Sequence, residues 1–504
     1  MSSTLQAISW FPGKGLDLDS PIHQVDNEHA ASGLNWYSID GDNADKKFGY
    51  DEVNATAVSA TPNITGLFSL YLSSGTDYEL VGTSNGDVWR DSSGTITTKI
   101  LAGLSTTYPL DYTQFLDTGI WADGGYYLKT WNGTASGTVS AGASAIACEV
   151  HLNKLFTADL NSSTVRYSST GSISTFTGAG TDTFNFEQNN GQNLVGLQSF
   201  ARNELVIFKE RSMGKLIGYD KASFNLITID RSIGCSCKRS IQNFKANTGG
   251  GLLIWANWDG IYAYDGNTPK KISQNIQPFW DAINKNYMVN MVSTIDEDNG
   301  LYFLSVPYGS GQTTNNYTIV VNLRLPYQND KGTHFPMFIW SDGWYAMNQE
   351  TGTNAAKIVM GGSGGFKYYY SSALMSDNGT SVTAYIVTPG FIFDQMGVSN
   401  ALRRIYVAMS SATGNFSVYG AFTDNQDWVL QQTFDMSGDA NRLGIDFYLG
   451  ISPLGFPEAN FTERINTSLR GRRIKLKFEQ ASDSNRFTLN APVELYFKRG
   501  GMQG

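Results

Sequence analysis

The chain reads as an all-β protein: a β-propeller of about seven blades, within a range of six to eight, followed by a C-terminal β-sandwich. Three observations predict this. Only 16% of the 504 residues are charged while 13% are aromatic and 53 are Gly, so strand and turn formers outnumber helix formers. Short β-rich runs end repeatedly in Gly-centred turns and resume on an aromatic residue. The final strands alternate apolar and polar residues with period two, the mark of one buried and one wet face.

Residues 1–60 are turn-rich and lack sustained periodicity, as in Gly15-Leu16-Asp17-Leu18-Asp19-Ser20-Pro21. They predict an extended arm with a closing strand or two. Residues 61–395 carry the hairpins. The clearest are Leu80–Trp89, Gly124–Gly133 and Ile254–Gly266, with a looser one at Val359–Tyr368. In the first three, an Asn-Gly or Asp-Gly turn takes the positive φ that only Gly and a few polar residues adopt cheaply. Asp259-Gly260 is the sharpest case, and Gly260 is expected in that conformation. Gly86 and Gly125 are 39 residues apart, close to the roughly 40–50 residues of a four-stranded blade. Seven centres follow, near Val81, Tyr127, Val165, Val206, Tyr262, Phe303 and Phe366. A long sandwich with coincidental hairpin spacing is the alternative. One short helix is expected over Ile276–Asn284, between blades.

Residues 396–504 change character. Arg403–Met409, Phe416–Gly420, Arg473–Phe478 and Val493–Phe497 read as sandwich strands. The charge changes as well. Of 36 basic and 45 acidic residues, 12 and 10 lie from Ala401 onward, leaving 24 and 35 before it: net +2 against −11.

The three Cys, at 148, 235 and 237, cannot make a disulfide framework for a chain this long. Cys235 and Cys237 are expected as buried free thiols on one strand face. No basic n-region precedes an apolar run, and no stretch of about 18 apolar residues occurs, so folding in a reducing cytoplasm is expected. The four His are scattered, and no zinc, serine-nucleophile or phosphate-loop motif occurs, so no catalytic, metal or cofactor site is expected. The turn acids Asp87, Asp123, Asp259 and Asp265 are explained by turn chemistry. A glycosidase would need two of them roughly 5–10 Å apart across a cleft. Trp340, Trp344 and Tyr345 would suit a sugar groove or the core between blades. Arg464, Arg470, Arg472, Arg473, Lys475 and Lys477 form a basic stretch that could meet nucleic acid. Alternation instead gives Arg473, Lys475 and Lys477 one solvated strand face, and a contact for the acidic half of another copy is the further reading. Net charge disfavours a surface that grips nucleic acid throughout.

Two stretches resemble a known family. One runs through Asn203–Ser212 and Ser232–Cys235 to Trp258-Asp259-Gly260-Ile261-Tyr262-Ala263-Tyr264-Asp265-Gly266. The other is Gly471–Phe478 with Phe487–Leu489 and Glu494–Gly500. Both are similar to the tail hub, or nozzle, proteins of short-tailed bacteriophages. The resemblance implies a non-enzymatic virion tail protein, synthesised in the host cytoplasm. It implies a homo-oligomer, typically a hexameric ring, under the head-to-tail adaptor and carrying tail fibres or spikes. DNA would pass without sequence-specific binding, and contact with the host envelope would be transient. Arg470, Arg472, Arg473 and Lys475 are then the candidate subunit contacts. A propeller glycosidase or glycan-binding tail adhesin is the alternative.

Overall fold

The structure, a computed structural model, describes residues 5–178, 180–200, 203–245, 251–329, 332–350, 357–392, 400–410, 415–422, 427–435, 461–482 and 487–499. It is all-β, 54% strand against 4% helix.

Seven four-stranded antiparallel sheets follow one another along the chain. Their first strands are Ile64–Tyr71, Asp111–Phe115, Ala145–His151, Leu194–Phe200, Gln242–Lys245, Val292–Asp296 and Ala346–Glu350. Each of the seven centres named from sequence falls in a different sheet, Phe366 just ahead of its strand Lys367–Ser371. The sequence explains the layering within a sheet. Second strands such as Lys154–Asp159 are buried throughout, whereas the fourth strands Thr95–Leu101 and Ser136–Ser140 are Thr- and Ser-rich and largely exposed. The seventh sheet takes its fourth strand from the N-terminal region: Gly49–Glu52 pairs with Lys367–Ser371.

Polar side chains tie several of the first strands to a neighbouring sheet. Asp111 Oδ2 accepts from Cys148 N at 2.8 Å, and Glu149 Oε1 accepts from Ser199 N at 3.1 Å. Gln242 Nε2 donates to Ser293 O at 3.0 Å, and Asn348 Nδ2 donates to Ser69 Oγ at 3.3 Å. The last of these joins the seventh sheet to the first.

Two further sheets share one core. The larger holds Trp36–Tyr37, Asn43–Lys46, Thr488–Arg499, Asn400–Ser410 and Phe461–Asn466, with Gln6–Trp10 and Arg470–Gly471 attached. The other holds Ser32–Leu34, Val382–Val387, Ile474–Ser482, Asn415–Phe422 and Val429–Asp435. Trp10 stacks on Phe478 between them, ring centroids 5.7 Å apart. Ile474, Leu476 and Phe478 face this core, as their alternation predicts.

Three expectations need correction. Val382–Val387, placed by sequence in the 61–395 segment, pairs with Ile474–Ser482, and four strands of the first 60 residues join the same two sheets. Strand partners hundreds of residues apart leave no local signal. Gly260 does not have positive φ. It closes a two-residue turn, paired with Asn257, and what it needs is space: a Cβ would sit 2.6 Å from Lys271 Cε and 2.7 Å from Ser273 Oγ. Gly86, at φ +76°, does fit the expectation. Cys235 and Cys237 are buried and free, but they lie in a loop ahead of a 3-10 turn, Lys238–Ser240, rather than on a strand. The expected helix occurs as Gln277–Asp281, seating Phe279 and Trp280 between the fifth and sixth sheets.

Candidate functional site

The first strands of all seven sheets converge on a cavity of about 290 Å³, lined by Thr65, Asp111, Glu149, Gln198, Gln242, Ser293 and Asn348 among others. Two cations enter it from the turn Lys238–Ser240, whose Ser240 Oγ donates to Cys237 O at 2.6 Å. Lys238 Nζ donates to the carbonyl of Leu197 and lies 4.0 Å from Glu149. Burial alone would lower the Lys238 ammonium, but the charges of Asp111 and Glu149 outweigh it and hold it above the ordinary lysine value. Burial pushes Glu149 up to about 7 against the pull of Lys238. The Cys148 thiol is driven well above its ordinary value by burial and by the charge of Asp111.

Arg239 crosses to the far side of this opening. One Nη1 donates to Thr65 O and Tyr345 O, both at 3.2 Å, and Nη2 to Val289 O at 3.4 Å. Together Lys238 and Arg239 occupy the opening where the first strands meet, beside the carboxylates of Asp111 and Glu149. Sequence analysis missed both, because Cys-Ser-Cys-Lys-Arg-Ser carries no periodic signal; only the meeting of seven first strands makes it central.

A second polar cluster joins the seventh sheet to the first. Lys367 Nζ donates to Asp91 Oδ2 at 2.7 Å and also to Glu350, with the lysine side chain 1% exposed. Nearby Glu79 accepts from Ser69 Oγ at 2.6 Å, and burial and the charge of Glu350 raise it to about 7. This cluster borders a cleft of about 1110 Å³.

The turn acids named from sequence are held in local structure. Asp123 accepts from Gly125 N and Ser105 N, Asp87 pairs with Lys99, Asp265 accepts from Asn267 N, and Asp259 accepts from Tyr262 Oη. Trp340 and Trp344 are buried, donating to Trp36 O and Tyr370 Oη, so they form no exposed groove. Tyr345 is half-buried, its carbonyl accepting from Arg239. Of the four candidate subunit contacts, Arg470 and Arg472 are exposed and Arg473 is half-exposed. Lys475 is buried, its Nζ 4.9 Å from the ring centre of Trp428, so its charge is spent inside the chain. Among the described residues no group of three or more His, Cys, Asp or Glu could hold a metal ion. Nor is any helix among them long and apolar enough to cross a membrane.

No protein-family model matches the chain, and no curated protein matches it. Among solved structures, that of U3-55K is similar at 9% identity and a TM-score of 0.41, covering 64% of this chain and 98% of that one.

Proposed function

We propose that the chain is a seven-bladed β-propeller carrying a β-sandwich, and that it is the structural subunit of a ring-shaped tail hub, or nozzle, of a short-tailed bacteriophage. The observation that carries the reading is how the polar groups between sheets are used. Asp111, Glu149, Gln242, Asn348 and Lys367 each bind the neighbouring sheet, which braces a part that must bear load. The resemblance in Asn203–Gly266 and Gly471–Gly500 supplies the biological setting.

The axial opening of one subunit is filled by Lys238 and Arg239, so DNA would travel between copies, in the bore of their ring. That bore should carry few cations, because a densely basic lining would hold the duplex at several phosphates. Arg470 and Arg472 remain the contacts through which the +2 region could meet the acidic region of the next copy, in a heterologous interface.

Electron micrographs of the purified protein with its adaptor should show rings with a central hole. Mass photometry should show the assembly weakened by salt and by reversing the charge of Arg470 and Arg472. A chain that stays monomeric beside its adaptor is not this subunit. Neither is one that binds duplex DNA tightly at about 0.15 M salt.

A further inference from the structure

Exposed apolar side chains mean little singly and more where they gather beside charge of one sign. One such gathering lies on the hairpin of Asn415–Phe422 and Val429–Asp435, where Phe422 is exposed and Val429 and Leu430 are more than half exposed. Phe422 lies against Gly471, since a Cβ there would come within 2.4 Å of its Cδ1. That contact sets the exposed Arg470 and Arg472 beside the apolar group. Lys475 packs on Trp428 at the base of the same hairpin, and Asp427 is engaged within the chain.

The second gathering joins turns of the first and second sheets. Tyr71 is exposed at the end of Ile64–Tyr71, and Leu116, following Asp111–Phe115, is more than half exposed. Ser73 N donates to Asp117 Oδ1 and Tyr71 N to Gln114 Oε1, both at 2.9 Å, which holds the two turns together. The charge here is negative. Asp77 is exposed opposite Tyr71, and the hydrogen bonds from Ser73 keep Asp117 below the ordinary carboxylate value. A third exposed group, around Trp258, Tyr287 and Val289, has charges of both signs beside it, with Lys271 and Asp259 3.6 Å apart, and so selects no charged partner.

We infer that the basic apolar end formed by Phe422, Val429, Leu430, Arg470 and Arg472 docks on the acidic apolar turns of a second copy, around Tyr71, Leu116, Asp77 and Asp117. The apolar side chains form the centre of the contact and the charges its rim, where they fix partner and register. Two different surfaces meet, so the contact is heterologous and each copy keeps one of each free for the next. The inference rests on the ring-forming reading above and names the two faces that build the ring.

Sedimentation velocity of the full chain at micromolar concentration tests the pairing. Arg470→Asp with Arg472→Asp, and separately Asp77→Lys with Asp117→Asn, should each associate at least about tenfold more weakly than wild type. Asn at position 117 keeps an acceptor for Ser73 and tolerates the left-handed backbone there, φ +56°. Mixed, the two variants should associate to within about threefold of wild type, because the new acids of one meet the new lysine of the other. Leu116→Asn, which changes no charge, should weaken association by about fivefold. A mixture that stays dissociated while both variants keep the wild-type circular dichroism spectrum overturns the inference. So does wild-type association of the Asp77→Lys variant, which would leave the basic end for another surface or partner, and so does wild-type association of Leu116→Asn. In each of these results the wild type still assembles and the ring reading stands. A wild type that stays monomeric, alone and beside its adaptor, overturns both.

Discussion

At the scale of single residues, two glycines that look alike in sequence have different reasons to be glycine. Gly86 holds φ +76°, and a Cβ there would lie 2.3 Å from the main-chain oxygen of Leu104, which cannot swing away. Gly260 has no positive φ, and its nearest obstruction is the flexible end of Lys271. Gly86→Ala should therefore cost about 2–3 kcal/mol, from left-handed strain plus the clash. Gly260→Ala should cost about 1 kcal/mol or less, limited by the small shift asked of Ser273 and Lys271. Urea unfolding midpoints of the two variants check the order. Equal losses would mean that the turn geometry at one of them is misassigned.

At the scale of elements, the join between the seventh sheet and the first decides whether the circuit of sheets holds. Lys367 reaches from the seventh sheet to Asp91 of the first, and both side chains are almost fully buried. Removing one partner of a buried pair strands the other charge. Lys367→Met should therefore destabilise by about 3–5 kcal/mol. The exposed pair Lys99–Asp87, with the lysine 44% exposed, should contribute about 0–1 kcal/mol, and Lys99→Met serves as the control. Thermal melts of both variants check the contrast. The closing strand Gly49–Glu52 acts at the same join, and next to it Lys47 bridges Asp342 at 3.0 Å and Asp377 at 2.8 Å. That buried bridge binds the N-terminal region to the sixth-to-seventh sheet connection, with Tyr370 Oη donating to the same Asp342 oxygen at 2.6 Å.

At the scale of the whole molecule, one core of described residues runs from the sixth sheet into the two sheets that hold the C-terminal strands. Trp36 meets Phe338 edge-on at 4.7 Å between centroids, and Trp340 Nε1 donates to Trp36 O. Several carboxylates in the interior keep their protons unusually late. Burial raises Glu79 and Glu149 to about 7 and, against the pull of Lys47, Asp377 to about 6. Between their ordinary values near 4 and these raised ones, the folded chain binds more protons than the unfolded chain, so stability falls as pH rises through that window. The melting temperature should drop from pH 4.5 to 7.5. Glu79→Gln should flatten the drop by the equivalent of about 1 kcal/mol, the half-buried site discounting the full shift. A slope unchanged in that variant would remove Glu79 from the account.

Local pattern carried the strands and their spacing. Period-two alternation put Ile474, Leu476 and Phe478 inside, and Gly-turn-aromatic runs marked a centre for each of the seven sheets. Both signals arise from neighbours within a few residues, where backbone sterics and one-sided burial act directly on residue choice. What the chain order could not show was decided by tertiary structure. Gly49–Glu52 completes a sheet begun near residue 346, and Gln6–Trp10 pairs with Thr488–Arg499. Lys238 and Arg239 became central because seven first strands meet around them, and Lys475 was withdrawn from the surface by Trp428. A side chain's neighbours across the fold determine its burial, charge environment and free hydrogen-bonding groups, and those neighbours are distant in sequence.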